Sequence, residues 1–211
     1  MNSAYSQSKF YKKRGDLFLD LNNDINRIAS ALNNYKDENG IYVIKRLVAS
    51  INSNPIDDET INYDKYIDWD ITCGETLLSK AKELNDDGRR VAEAEANLVD
   101  KLICRTPMIP SRDNSREMGS YITINLLEDD LSAGKNFSQT TVSIDVWTPP
   151  QQWIIDNGLR PYLLCSYVDK VMTNIFRQDN GVKYRLVQVI NVKLSDDLLG
   201  FRLVYETILE N

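Results

Sequence analysis

Histidine is absent from all 211 residues. That removes Ser–His and Cys–His nucleophile pairs and most zinc sites, which depend on an imidazole. Cysteine is scarce: Cys73, Cys104 and Cys165 are isolated, odd in number and in no metal-ligand spacing. Three scattered thiols fit a reduced, intracellular setting. No apolar run approaches the roughly 20 residues that cross a bilayer, and no apolar signal core follows Met1. The sequence therefore predicts a soluble, unexported chain with no membrane partner. Neither the GxxxxGK[ST] phosphate loop nor the GxGxxG turn occurs. A metal nuclease can work without histidine, but no strand here presents an acid followed by Glu-x-Lys, and Asp145 has no evident partner. The expectation is a protein that is not an enzyme, with no catalytic residues, no metal and no cofactor.

Positive charge is outnumbered, 25 Lys and Arg against 31 Asp and Glu. A net charge of −6 and a pI near 4.8 argue against a surface that grips nucleic acid all over, while leaving room for a local basic patch.

What is present is concentrated in the last third. Side chains on a strand alternate between faces, and four runs show that period. Ile122, Ile124 and Leu126 alternate with Tyr121, Thr123 and Asn125; Val142, Ile144 and Val146 alternate with Thr141, Ser143 and Asp145. Tyr184, Leu186, Ile190, Val192 and Leu194 share a face interrupted by Gln188; Phe201, Leu203, Tyr205 and Leu209 share one opposite Arg202 and Glu206. Between the second and third runs, Leu164, Val168, Val171, Met172, Ile175 and Phe176 recur at helical spacing, so a helix is predicted from about 159 to 176, with Pro161 in its first turn. The predicted fold is α+β: an antiparallel four-stranded sheet in the order strand, strand, helix, strand, strand, with the helix covering its apolar face.

Ahead of this module, 120–211, lies a helical lead, 15–119. Leu17, Leu21, Ile25, Ile28 and Leu32 predict a helix over 16–35, with Asp16 as N-cap and Gly40 as a left-handed stop after it. Ile44, Leu47, Val48 and Ile51 predict a second over 41–52, ended by Asn54-Pro55. A third helical region spans 75–104. Two similar segments, Leu127–Leu131 before Gly134 and Leu194–Leu198 before Gly200, join consecutive strands; each paired Asp could be half of a metal or acid site, but turn chemistry explains the pairs more cheaply, because Asp and Gly favour such bends.

Candidate contact residues fall in an arm before the lead, in two loops of the lead and near the helix of the module. A flexible arm, 1–14, interleaves Tyr5, Phe10 and Tyr11 with Lys12, Lys13 and Arg14; it reads as a strap for a neighbouring protein, as a contact to nucleic-acid phosphates, or as a solvated terminus. An acidic loop, 55–72, carries Tyr63, Tyr66 and Trp69, residue types that anchor interfaces; it lacks the order of a calcium loop. A loop over 105–119 carries Arg105, Arg112 and Arg116, for an acidic partner, DNA or solvent. Trp147 and Trp153 add two further aromatic candidates for partner contact.

The stretches 121–130, Thr141–Trp147, the helix to Phe176, 184–194 and 201–209, in that order, resemble tail-terminator and neck proteins of tailed bacteriophages. The resemblance implies a structural virion protein, assembled in the host cytoplasm. It would be one subunit of a homo-oligomeric closed ring, 6- or 12-fold, in the neck or collar. The implied partners are the portal, adjacent neck or tail proteins, and DNA that passes the lumen without sequence-specific binding. The lead here is longer than that family's, which implies an elaborated collar ring rather than a simple tail cap. Two other readings stand beside it: a non-enzymatic protein-binding adaptor, and a nucleic-acid-associated factor acting through the basic arm.

Overall fold

The computed structural model describes residues 14–50, 53–56, 91, 93–107, 119–130, 139–175 and 182–209. Helix α1 (Arg14–Asn34) and short helix α2 (Val43–Ala49) precede strand β1 (Ile103–Cys104). The strands β2 (Tyr121–Asp130) and β3 (Gln139–Thr148) follow, then a two-stranded hairpin of β4 (Ile154–Ile155) and β5 (Gly158–Leu159). Helix α3 (Arg160–Ile175) leads into β6 (Val182–Ser195) and β7 (Leu198–Leu209). The predicted order of strand, strand, helix, strand, strand is present. The sheet, however, has five strands rather than four, in the order β1-β2-β3-β7-β6. Strand β1 stands at the end of the 75–104 region read as helical, of which only 91 and 93–95 are helix among the described residues; it pairs parallel to β2 through Ile103 and Cys104, and two residues are too few to show a period.

The helices pack on one face of the sheet. Ile28 and Leu32 of α1, Leu47 of α2 and Leu164, Val168 and Met172 of α3 are fully buried in one cluster with Ile122, Ile144 and Leu203 of the sheet. Each such side chain contributes roughly 1.5–3 kcal/mol on leaving water, so neither layer is stable without the other. Gly40 takes φ +79, but in a separate turn six residues beyond the end of α1, where its N–H donates to the Asp37 carbonyl at 3.0 Å, so it is not the helix stop expected from the sequence. The Asp37 carboxylate accepts the backbone N–H groups of Asn39 and Ile41 beside it.

Four further sequence-based details are corrected. Helix α1 already includes Arg14 and Gly15, so Asp16 is a residue within the helix and not its cap. The β6 residues do not share one face: a bulge between Leu186 and Gln188 inserts Val187 unpaired. Leu186 and Val189 thus pair with core-facing Tyr205 and Leu203, while Ile190 and Val192 pair with Arg202 and Gly200 and lie on the other side. Asp129 and Asp130 belong to β2 and pair with Thr140 and Gln139, whereas Asp196 and Asp197 do form the β6–β7 turn. Gly200 is a strand residue whose role is close approach: a β-carbon there would stand 1.7 Å from the Val146 carbonyl oxygen.

The face away from the helices is not a wet one. Thr123, Asn125, Ser143, Asp145 and Trp147 are all buried. Alternation revealed that they share a face; it carried no information on whether that face is covered.

Candidate interaction surface

The charged side chains inside the fold are held by structural partners. Helix α2 is buried along its whole length, including Lys45 and Arg46. The Lys45 ammonium donates to the backbone carbonyls of Glu93, Ala94 and Ala96 at 3.0, 3.2 and 2.6 Å, closing the end of the helical residues 93–95. It also lies 4.4 Å from the centre of the Tyr42 ring. Arg46 forms a two-pronged pair with the Glu93 carboxylate, 2.7 Å from Nε and 2.9 Å from Nη2. Arg160, fully buried at the start of α3, donates to the carbonyls of Leu47 and Ser50 at the end of α2. None of these cations stood out in the sequence. The only signal was Lys45-Arg46 inside an apolar stretch, which a surface helix would also show.

On the second sheet face, Arg202 grips Asp145 with both prongs, at 2.7 and 2.8 Å, and Asn125 donates to the same carboxylate at 3.2 Å. The Asp145 hydrogen bond holds the Arg202 guanidinium above its ordinary pKa. Asp145 is therefore the anchor of a cross-strand network rather than a reactive acid. A polar cleft of about 490 Å³ opens between α1 and the 94–105 segment. Its groups pair mainly with one another: Arg105 with Asp100 and Asn26, and Asn33 with the Leu98 N–H. The hydrogen bond from Arg105 pulls the Asp100 carboxyl below the usual carboxylate range.

The outstanding surface is β6. It is the last strand of the sheet, and among the described residues nothing pairs with its outer edge. Tyr184 is buried near α1, but from Arg185 to Asp197 every residue except Val192 is exposed. Val189 is 54% and Leu194 57% exposed, with Leu186, Val187 and Ile190 between one third and two fifths. A long, apolar, unpaired edge is a template for another strand, and soluble proteins ordinarily blunt such edges. Beside it stands a smaller apolar patch from the β4–β5 hairpin and α3, with Ile154 79% exposed and Tyr162 packed on Phe201 at 4.8 Å between ring centres.

The contact residues expected from the sequence are dispersed. Tyr5, Phe10, Tyr11, Lys12, Lys13, Tyr63, Tyr66, Trp69, Arg112 and Arg116 lie outside the described residues, and Arg14 opens α1. Trp147 is buried and donates its indole N–H to Thr123 at 3.2 Å. Trp153 is half-buried against Phe201 and donates to the Thr148 carbonyl at 3.0 Å. The apolar residues of β6 were visible as a strand pattern. That both their faces remain open depends on the bulge and on strand order, which periodicity does not encode. No helix among the described residues is long and apolar enough to cross a membrane.

Compared with known proteins, residues 75–207 match the sequence model of a family described as YomW. No curated protein and no solved structure matches.

Proposed function

This chain belongs to the YomW family, a name of the phage SPBeta type, and from that premise we propose that it is a structural protein of the phage particle. In this reading it joins with copies of itself into a closed ring of the neck or collar, between portal and tail, through which DNA passes. One observation carries the reading: the 14-residue β6 ends the sheet with its outer edge unpaired among the described residues and with apolar side chains exposed on both faces. Such an edge favours an assembled state over a free one, because it offers backbone hydrogen bonds and apolar area together. The buried carboxylates Glu93 and Asp145 are each gripped by an arginine, so they serve the fold. The acidic balance of the chain suits a ring that lets DNA slide rather than stick.

The test is light scattering behind size exclusion, with negative-stain images of the same fractions. A single closed ring species supports the proposal. A chain that stays monomeric up to high concentration overturns it.

A further inference from the structure

The sheet has two ends, and they carry opposite charge. The β6 sequence contains Lys183, Arg185 and Lys193 and no acid. The β2 sequence contains Glu128, Asp129 and Asp130 and no base. The partner of β2 on its outer side, β1, reaches only Ile122 and Thr123, so among the described residues the outer edge of β2 from Ile124 onward is unpaired. Leu127 there is 46% exposed. Among the described residues, each end thus combines an unpaired row of backbone groups, exposed apolar surface and one sign of charge.

We propose that β6 of one copy pairs antiparallel with the Ile124–Asp130 edge of β2 of the next, so that the sheet runs on from subunit to subunit. This rests on the self-assembly reading above and names its joint. Strand direction agrees with it. The pairs β2–β3, β3–β7 and β7–β6 are all antiparallel, so β6 runs opposite to β2. A copy related by rotation about an axis along the strands therefore presents its β2 antiparallel to β6, and the alternation continues across the boundary. The same orientation brings the acidic end of β2 toward the Lys183–Arg185 end of β6. It also sets the Leu126–Leu127 segment beside the apolar middle of that strand. Joining two different edges is a head-to-tail contact, the kind that closes into rings.

The alternative joint, β6 against its own copy, sets three cations against three, and like charges across strands repel. The partners of Arg185 and Lys193 do not cancel the asymmetry. Arg185 stands 3.9 Å from Glu206, and Lys193 pairs with Asp196, whose carboxylate is 91% exposed. Pairs so exposed contribute little.

Charge reversal distinguishes these cases. One variant reverses the β6 end that meets the acids (Lys183→Glu, Arg185→Glu), and a second reverses the β2 end (Glu128→Lys, Asp129→Lys, Asp130→Lys). Each alone is expected to raise the concentration for half-assembly by on the order of 100-fold, as the attractions between the Lys183–Arg185 end of β6 and the acidic end of β2 become repulsions. An equimolar mixture of the two should assemble like wild type, since every joint in an alternating ring is again attractive. Two misfolded chains could not rescue one another, so the mixture also controls for folding. If the wild type assembles and neither reversal matters, or only the β6 reversal matters, or the mixture is not rescued, the joint is wrong while the ring stands. A wild-type chain that never assembles overturns both.

Discussion

Removing the charge of Glu93 tests the account of the buried cations most directly. Lys45 is fully buried and Arg46 2% exposed on the same helix, and the Glu93 carboxylate, 2% exposed, meets Arg46 through two hydrogen bonds of 2.7 and 2.9 Å. Glu93→Gln keeps the shape but takes the Glu93 negative charge away from the buried guanidinium and replaces one acceptor oxygen with an N–H donor facing it. Breaking a buried pair from one side costs about 3–5 kcal/mol, much more than the pair itself is worth. For a chain of this length that corresponds to roughly a 10 °C fall in Tm. The control is Glu95→Gln, two residues along and exposed, which should change stability by less than about 0.5 kcal/mol. Urea unfolding followed by circular dichroism measures both. The double change Arg46→Met with Glu93→Leu should recover much of the loss, because apolar replacement of a whole buried pair is often close to neutral. If Glu93→Gln unfolds at the same urea concentration as Glu95→Gln, Arg46 is not charged and dry as described, and the reasoning fails.

Two further outcomes follow from close approach and from burial. Gly200→Ala sets a methyl group 1.7 Å from the Val146 carbonyl oxygen, so β3 and β7 must separate. A loss of about 2 kcal/mol or more is expected in the same urea assay, against a few tenths for an alanine on an open strand. Burial pushes the Cys165 thiol up from 9.0 to about 12 and also raises the Tyr205 phenol, which donates to Asp169 at 3.2 Å. Groups whose pKa is higher in the folded state lend stability that is complete below their unfolded values and is lost as pH rises above them. Stability should therefore begin to fall above about pH 9, by roughly 1–2 kcal/mol at pH 10.5 from the thiol alone. Cys165→Ala should flatten that first decline, and an unchanged profile would refute the assignment.

The order of the main elements was legible because each strand and each helix wrote its period into the chain. Leu164, Val168 and Met172 face the core as their spacing requires, and Ile122, Ile124, Val142, Ile144 and Val146 do the same. Three things were not legible, each for a physical reason. The Val187 bulge reverses the faces of β6 midway, and a bulge is one extra residue with no composition of its own. The polar face bearing Asp145 is buried, and Asp145 there meets Asn125 and Arg202 from the two flanking strands, a fact of strand order rather than of sequence neighbours. Lys45, Arg46 and Arg160 are interior because backbone carbonyls and Glu93, distant in sequence, come to meet them. The surface that matters most, β6, was seen as a strand and not as an edge, since strand order is set by the path of α3 over the sheet.

The contact between Arg160 and the end of α2 has a mechanical corollary. The guanidinium that opens α3 holds carbonyls more than a hundred residues earlier in the chain, while Lys45 and Arg46 reach from α2 to the segment before β1. A pull on α1 would thus be shared at once among α2, α3 and the sheet, instead of peeling the lead away from the rest. A fragment starting at residue 75, where the family match begins, would lack both helices that clasp α3. It would bare the apolar side of that helix and shed the load path along with it.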